Sequence, residues 1–336
     1  MLVIITKIDS QIIQKSQSNH DKYFIFDTMV NNYGYKYIEP NILIQNKKNL
    51  KQFFLNEYGE LPQYLISFSD FNTLCDIYLE IFDYCKLVVI LCDIHHAKSI
   101  KNYRKPVLEK ATYVLNNYGY LFEKYFPKHK GNIFFPHSIA YKINFNQNPI
   151  QKILVSGHSN KEIYPNRHMM IEKSKRNNNI YYHSPDYSGY RISDSDSNKT
   201  FGKKYYNLLN EYLCCFTDDA NDNRPYIVAK FFEIMGTGSL LLACNKNTKN
   251  EFSNLGFIDG VHYISCDTDN IDDKINFILN SENRDEINKI RYNGYSLVNQ
   301  KHDYIYRAHE INKLLNNESI ISEYKTSYDT NYKIIN

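Results

Sequence analysis

The sequence has no long apolar run. A membrane-spanning helix needs roughly 20 consecutive apolar residues, and the longest runs here are Leu87–Leu91 and Leu240–Ala243. The mean hydropathy is −0.54. The first residues, Met1–Thr6, are too short for a signal-peptide core and have no basic lead. The sequence therefore predicts a protein without a transmembrane segment.

Paired cysteines and an excess of charge are also missing. The seven cysteines include no Cys-x-x-Cys pair. An odd number without framework spacing indicates reduced thiols and a cytoplasmic location, and it argues against zinc ligation by cysteine. The 40 basic and 37 acidic residues leave a net charge of +3. Nucleic-acid binding needs concentrated positive charge, so no nucleic-acid partner is expected.

Tryptophan is absent and glycine and proline are scarce, whereas tyrosine occurs 31 times. Codon usage rich in A and T produces such a bias without selection for function, so we give tyrosine clusters no weight as functional signals. Hydrophobic residues make up 43% and charged residues 23% of the 336 positions. These values are typical of a globular protein with two domains.

Strands and helices alternate along the sequence. The clearest strand is the apolar run Lys86–Cys92, which is typical of a strand buried on both faces. A helical period covers Tyr103–Tyr125. The alternation predicts βαβ units and parallel sheets, whose ligands bind beyond the carboxyl ends of the strands.

A polar segment divides the pattern. Asn144–Gln151 contains Pro149 and is a candidate linker, because the strand–helix pattern restarts after it. We therefore predict one domain at 1–148, a second at 149–315 and a loose tail at 316–336.

The densest group of polar and glycine residues is the segment Asn221–Leu242. A polar loop leads into a helix in which Lys230 and Glu233 lie three apart and so share one face. Gly236 and Gly238 follow and permit close backbone approach before a buried strand. The plain alternative is an ion pair on the surface of an ordinary helix.

A second group begins with the strand Ile153–Val155, which Ser156 and Gly157 follow. Pro165 then starts a helix with Arg167 in its first turn, where backbone N–H groups and a basic side chain suit an anionic ligand. The alternative is an arginine that lies on the surface at the start of a helix.

A third group runs from the His-Ser-Pro loop at 183–185 through the helix at 205–209 to the strand and acidic end Cys214–Asp218. In this order, the three groups resemble nucleotide-sugar glycosyltransferases of the GT-B type, in particular family-one and CgeB-like members. The resemblance covers about residues 150–310, and the first 145 residues match only in pattern.

The resemblance implies an α/β fold with two Rossmann-like domains that face a central cleft, with the last helix crossing back to the first domain. It implies a hexosyltransferase that moves a sugar from a UDP-, GDP- or dTDP-sugar donor to a hydroxyl of a glycan or glycoprotein acceptor. The amino-terminal domain would bind the acceptor, and no metal or other cofactor would be obligatory. A homodimer stays open.

On the same resemblance, Glu233 binds the ribose hydroxyls, while Lys230 and Arg167 offset the charge of the diphosphate. The other residues implied to bind the donor are Gly157, His183, Ser184, Thr217, Arg224 and Gly238. Many retaining members carry a second glutamate eight positions before the ribose ligand, where this chain has Pro225. Retention or inversion therefore stays open, as do the donor-sugar contacts, for which the candidates are Asp218, Asp219, Asn221 and Arg224.

An inverting transferase needs a general base at the acceptor hydroxyl. Asp93 and His95 follow the clearest strand, and we predict that one of them is this base, with His137 as a further candidate. Alternatively, Asp93, His95 and His96 hold a metal ion, or they form a polar loop whose aspartate caps a helix.

Two Asp-x-Asp tripeptides need attention, because metal-dependent transferases use such a pair to hold a divalent cation. Asp194–Asp196 lies in a loop rich in serine and aspartate, and Asp267–Asp269 is typical of an acidic helix start. No Gly-x-Gly-x-x-Gly follows the first strand, which argues against a dinucleotide-dependent oxidoreductase.

Two other functions stay open at this point. One is a metal-dependent transferase or hydrolase, which would lose its activity in EDTA and regain it with metal. The other is a non-catalytic glycan-binding or assembly protein of the same fold, which would bind nucleotide without turnover.

Overall fold

A computed structural model of the chain describes residues 1–6, 20–68, 77, 80–91, 105–117, 122, 125–158, 160–185, 199–219, 226–316, 321–325 and 331–335. The strands are β1 (Val3–Thr6), β2 (Lys36–Ile38), β3 (Tyr64–Phe68), β4 (Lys86–Leu91), β5 (Tyr113–Asn116), β6 (Asn132–Phe134), β7 (Ile150–Ser156), β8 (Ile180–His183), β9 (Tyr212–Asp218), β10 (Leu240–Cys244), β11 (Ile264–Ser265), β12 (Ile321–Lys325) and β13 (Asn331–Ile335). The helices are α1 (His20–Tyr33), α2 (Pro40–Asn46), α3 (Leu50–Tyr58), α4 (Lys105–Lys110), α5 (Pro165–Ser174), α6 (Lys203–Glu211), α7 (Ala229–Gly236), α8 (Lys249–Asn254), α9 (Ile271–Leu279), α10 (Arg284–Lys301) and α11 (Tyr304–Leu315).

The chain divides into two compact units. The first unit consists of Met1–Ile13, Tyr23–Pro136 and Arg307–Asn336, and the second consists of Gln14–Lys22 and His137–Tyr306. The second unit thus begins earlier than the linker predicted at 144–151, and it includes a short segment from near the start of the chain.

The first unit contains an eight-stranded sheet in the order β12-β13-β6-β5-β4-β3-β1-β2. All neighbouring strands are parallel except β12 and β13, which pair antiparallel. The inner strands β3 and β4 are mostly apolar and almost every residue in them is buried, as expected for strands covered on both faces.

The second unit contains a five-stranded parallel sheet in the order β11-β10-β9-β7-β8. Helices connect each strand to the next, so the unit is built of successive βαβ crossovers. Aliphatic and aromatic side chains of the strands, such as Val155, Phe216 and Leu242, form a buried core with helix residues such as Met170 and Ile275.

The predicted fold class, α/β with two Rossmann-like parallel-sheet domains, is confirmed. The strand predicted at Lys86–Cys92 is present as β4, and the strand predicted at Ile153–Val155 lies within β7. The described helices include none that is both long and apolar enough to cross a bilayer. The five described cysteines are free thiols: Cys85, Cys214, Cys215, Cys244 and Cys266.

Two predictions about the first unit were wrong. The helix predicted over Tyr103–Tyr125 is interrupted by strand β5, whose Val114 and Leu115 are fully buried and which pairs with both β4 and β6. Non-local strand pairing here overrides the local helical period. The loose tail predicted at 316–336 contains β12 and β13, and β13 pairs with β6.

A candidate anion and nucleotide site

The order of strands in the second unit indicates where a ligand binds. The chain passes from β7 outward to β8, and then returns to place β9 on the other side of β7. Crossovers leave in opposite directions from this point, so the carboxyl ends of β7 and β9 border a crevice. Gly157 follows β7 at this edge, and Thr217 and Asp218 end β9.

Two cationic side chains converge on Gly157. Its φ of +105° is one that L-residues avoid. A Cβ added there would lie 3.0 Å from Cε and 3.5 Å from Nζ of Lys230, and 3.4 Å from Nη1 of Arg167. Glycine therefore gives both the backbone conformation and the space that bring the two cations to one position.

Arg167 is held from several sides. It is only 3% exposed, and Nη2 lies 3.1 Å from Oδ1 of the fully buried Asp218. Nη2 also donates to Oγ1 of Thr217 at 3.2 Å, and Nη1 donates to the carbonyl oxygen of His158 at 3.4 Å. The guanidinium carbon lies 3.9 Å from the centre of the Tyr164 ring, within the range of a cation–π contact.

Asp218 contacts the backbone at the start of α5 as well as the Arg167 side chain. Its Oδ2 accepts the backbone N–H of Arg167 at 3.0 Å. Burial raises the pKa of the Asp218 carboxyl, while Arg167 and the backbone donors oppose that rise. The carboxylate therefore accepts a hydrogen bond at the helix start and forms an ion pair with the guanidinium.

Lys230 and Glu233 contrast with this pair. Both lie on α7, where they are half-buried. Among the described residues, no side chain forms a hydrogen bond or ion pair with the Lys230 ammonium or the Glu233 carboxylate. The ammonium faces the Tyr205 ring at 5.0 Å, and the Tyr205 hydroxyl lies 2.8 Å from Oγ of Ser156.

The electrostatics of the two residues are linked. Burial lowers the pKa of Lys230; Glu233 opposes this shift and Arg167 adds to it. Burial raises the pKa of Glu233; Lys230 opposes this shift and Asp21 adds to it. Two cations and a carboxylate thus share a partly dehydrated region in which an anion and a hydroxyl-bearing ligand would both find partners.

Residues from the early chain segment of the second unit lie near Glu233. Asp21 is buried, its Oδ2 lies 2.8 Å from Nζ of Lys22, and the same oxygen accepts the backbone N–H of Ser138 at 3.3 Å. Its charge, together with that of Glu233, helps to raise the pKa of Tyr206 well above the usual value, burial being the larger cause. The Asp21 carboxylate, which pairs with Lys22, is therefore close enough to influence the residue that is predicted to bind the ribose.

Other predicted donor residues lie at the same edge. His183 ends β8 in register with Ser156, and Ser184 follows it in an exposed position. The neighbouring Tyr182 hydroxyl donates to the carbonyl oxygen of Gly157 at 3.3 Å. The roles of His183 and Ser184 in binding the donor stay predictions.

Two predicted donor residues are placed differently. Gly238 lies at the opposite edge of the sheet, just before β10; a Cβ there would be 2.7 Å from the Phe145 ring, and its carbonyl accepts from Nε of Arg291 at 3.0 Å. Thr217 is fully buried with its hydroxyl engaged by Arg167. We therefore reassign Gly238 to packing and Thr217 to the support of Arg167.

Several candidates lie outside the described residues, namely Asp93, His95, His96, Asp194, Asp196, Asn221 and Arg224. His137 is half-buried and helps to lower the pKa of Asp21. Oδ1 of Asp267 accepts the backbone N–H groups of Asp269 and Asn270 at 3.0 and 2.9 Å, so this carboxylate supports the start of α9. The described residues include no group of three or more His, Cys, Asp or Glu arranged to hold a metal ion.

Sequence reasoning missed the roles of two tyrosines. Tyr164 and Tyr205 lie against the two cations, but the abundance of tyrosine had removed it as a signal. The position of Tyr164 directly before the helix start that carries Arg167 could have singled it out. No local pattern could predict that Asp21 influences Glu233, because the two residues are far apart in the chain.

Comparison with known proteins fits this arrangement. Residues 167–313 match the model of a family described as glycosyl transferase-like. No curated protein matches the sequence. Among solved structures, Anabaena HepE, solved with UDP and glucose, is 11% identical, with 94% of this chain and 99% of that chain covered and a TM-score of 0.55.

Two further structures have the same fold. Sucrose-phosphate synthase of Thermosynechococcus elongatus is 9% identical, with coverage of 94% of this chain and 98% of that chain and a TM-score of 0.57. A glycosyltransferase of Rickettsia africae is 12% identical, with coverage of 95% and 99% and a TM-score of 0.52. Residues 167–313 thus match a glycosyl transferase-like family, and the chain as a whole shares the fold of these solved structures. The sequence match begins at Arg167 itself and takes in Lys230 and Glu233, whereas the first unit is similar in fold alone.

Proposed function

We propose that the protein transfers a sugar from a nucleoside diphosphate sugar to a hydroxyl of a glycan or protein-linked glycan, without an obligatory metal ion. The observation that carries this proposal is the convergence of Lys230 and Arg167 on Gly157 at the switch point of a parallel sheet. Like charges repel each other in a partly dehydrated site, so the arrangement is most favourable when an anion lies between them.

The chemistry of the departing diphosphate fits this region. Negative charge develops on the leaving group during transfer, and fixed donors and cations stabilise it. Lys230 would supply an unpaired positive charge and Arg167 a guanidinium of fixed orientation. Helix α7 begins at Ala229 without a side-chain cap, so its first backbone N–H groups add the positive end of a helix dipole.

The ribose would bind to Glu233. A carboxylate accepts hydrogen bonds from two hydroxyl groups at once, and Glu233 lies one helical turn from Lys230 on the same face of α7. This spacing suits a ligand whose ribose and diphosphate are adjacent.

We propose a UDP-sugar as the donor. HepE, which shares this fold, was solved with UDP-glucose and with UDP. Fold alone does not determine the substrate, so the support for uridine over guanosine or thymidine is an analogy. For the general base at the acceptor hydroxyl, Asp93 or His95 is our proposal on the strength of their position after a buried strand.

Metal independence is also part of the proposal. The Asp267 carboxylate is already engaged by backbone N–H groups, which leaves it poorly suited to bind a cation on a diphosphate. Lys230 and Arg167 supply the positive charge that a divalent ion supplies elsewhere.

Thermal unfolding with a panel of nucleoside diphosphates and nucleotide sugars, each with and without EDTA, tests the proposal. A ligand at 100 times its Kd should stabilise the fold by about 2.7 kcal/mol. We expect UDP and a UDP-sugar to raise Tm equally in both buffers. Stabilisation only with a divalent ion would overturn metal independence, and no shift with any nucleotide would overturn the donor assignment.

A variant pair makes this test specific. E233A should lose the nucleotide-dependent rise in Tm, whereas E211A, which removes an exposed glutamate of the same unit, should keep it. Product analysis with UDP-sugar and glycan acceptors then decides between a transferase and a non-catalytic binding protein. Nucleotide binding without sugar transfer to any acceptor would favour the latter.

A further inference from the structure

The orientation of Arg167 needs an explanation, because a free arginine side chain has many rotamers. Fixing such a side chain costs conformational entropy. Here the guanidinium lies between the Tyr164 ring and the space above Gly157. A side chain fixed before the ligand arrives adds less to the entropic cost of binding.

Asp218 contacts both the backbone N–H and the guanidinium group of Arg167. One carboxylate oxygen accepts the backbone N–H at the start of α5, and the other lies 3.1 Å from Nη2 of the guanidinium. Loss of the first oxygen would remove a hydrogen bond from the helix start. Loss of the second would remove the ion pair from the guanidinium, which would keep its hydrogen bonds to Thr217 and His158. The buried position of both partners makes these bonds stronger than they would be at the surface.

We propose that Asp218 is a positioning residue for donor binding, which holds Arg167 in the orientation that meets the diphosphate at Gly157. The proposal rests on the proposed function of this site. It assigns different tasks to the two cations. Arg167, whose charge is offset by Asp218, orients the diphosphate, and Lys230, whose charge is not offset by an ion pair, supplies most of the attraction.

The next residue along the strand provides a matched control. Asp219 is also buried, and its Oδ2 accepts from the backbone N–H of Asn247 at 3.0 Å and from Oγ1 of Thr248 at 3.2 Å. It therefore holds a different loop. Asp219 is a candidate only for contacts with the donor sugar, which UDP and UMP both lack, so D219N is a fair control for their binding. A general effect of removing a buried carboxylate from this edge would appear in D219N as well as in D218N.

The test is calorimetric binding of UDP and UMP to the wild type, D218N, R167A, the double variant D218N/R167A and D219N. D218N should weaken UDP binding about tenfold or more, the effect of losing a hydrogen bond to a charged group. UMP binding, which does not need a correctly placed Arg167 at the second phosphate, should change much less. In the R167A background, D218N should weaken UDP binding no further, and D219N should resemble the wild type.

The outcomes separate the proposals. Equal losses for UDP and UMP, or losses that add in the double variant, would show that Asp218 acts only on the fold. If D218N unfolds, T217V removes the Thr217 hydroxyl bond to Arg167 while keeping the ion pair, and it should give a smaller UDP-specific loss that also disappears in the R167A background. A wild-type protein that binds no nucleotide would overturn the proposed function and this proposal with it, whereas normal UDP binding by D218N would overturn this proposal alone.

Discussion

Two helices that begin at one edge of the second sheet differ in whether their charged side chains form ion pairs. At α5, Arg167 is buried, paired with Asp218 and surrounded by partners. At α7, Lys230 and Glu233 are half-buried and have no hydrogen-bond partner among the described side chains. A charged residue near the start of a helix can therefore be part of a fixed ion pair, as at α5, or stay available to a ligand, as at α7. An ion pair such as Arg167–Asp218 holds the structure of the site, whereas a charge without an ion pair, such as that of Lys230, can bind a ligand.

Removal of Arg167 should give the largest effect on the fold. R167A leaves Asp218 buried without its partner, and loss of one member of a buried pair costs about 3–5 kcal/mol. Urea unfolding should show this loss in R167A, whereas K230A should cost little because the Lys230 ammonium forms no ion pair. The sequence alone predicts that both variants lower turnover more than stability; the structure restricts that expectation to K230A. Equal losses of stability in R167A and K230A would contradict the conclusion that Arg167 supports the fold and Lys230 does not.

Removal of Glu233 should affect binding and spare the fold. E233A should weaken nucleoside diphosphate binding by about 1–3 kcal/mol, because it removes a charged acceptor for the ribose hydroxyls. The free energy of unfolding at neutral pH should not fall, since burial already disfavours the ionised carboxyl in the folded state. Calorimetry and urea unfolding on the same samples check both parts. A loss of stability without a loss of affinity would assign Glu233 to the fold.

Two variants separate the contributions of Gly157, which are its backbone conformation at positive φ and the space that it leaves for Lys230. G157A and G260A both place an L-residue at positive φ, which costs about 1–2 kcal/mol. Only at Gly157 would the added Cβ approach Lys230, since nothing lies within 4 Å of the corresponding position at Gly260. We expect similar losses of Tm and a fall in UDP affinity for G157A alone. Equal affinities would show that the contact with Lys230 has no effect on binding.

The pH dependence of binding should be the most subtle difference. An ordinary glutamate titrates near pH 4.3, and burial raises the pKa of Glu233 above that value. The carboxylate that accepts from the ribose is therefore lost, as the pH falls, at a higher pH than usual. At the alkaline end, the lowered pKa of Lys230 should remove its charge at a lower pH than usual. UDP titrations across pH check both limbs. E233Q should remove the contribution of Glu233 to the acid limb and leave that of the terminal phosphate of UDP, which also titrates in the acid range.

Local patterns predicted α7 and its two charged residues, because Lys230 and Glu233 are neighbours within one helix. They could not predict that Asp218, 51 positions from Arg167, would pair with it, since that contact depends on how β9 is placed beside β7. The same limit explains β5, where pairing with β4 and β6 decides the structure.

Composition set a further limit on the candidate site. Because tyrosine is so frequent, the sequence could not predict that Tyr164 and Tyr205 contact the two cations. Residue frequency does not distinguish a ring that packs against a cation from a ring on the surface. Gly238 shows the reverse limit. The glycine turn beside α7 predicts a contact with the ligand, whereas Gly238 precedes β10 at the sheet edge opposite Gly157 and accommodates Phe145.

The affinities of UDP and UMP for the wild type and K230A test whether Lys230 binds the diphosphate, with K152A as a control at an exposed lysine of the same unit. If Lys230 faces the diphosphate at Gly157, K230A should reduce the preference for UDP over UMP about tenfold, as expected for one hydrogen bond to a charged group. K152A should keep the wild-type preference. An unchanged preference in K230A would contradict the account, because the unpaired cation of α7 would then not bind the diphosphate.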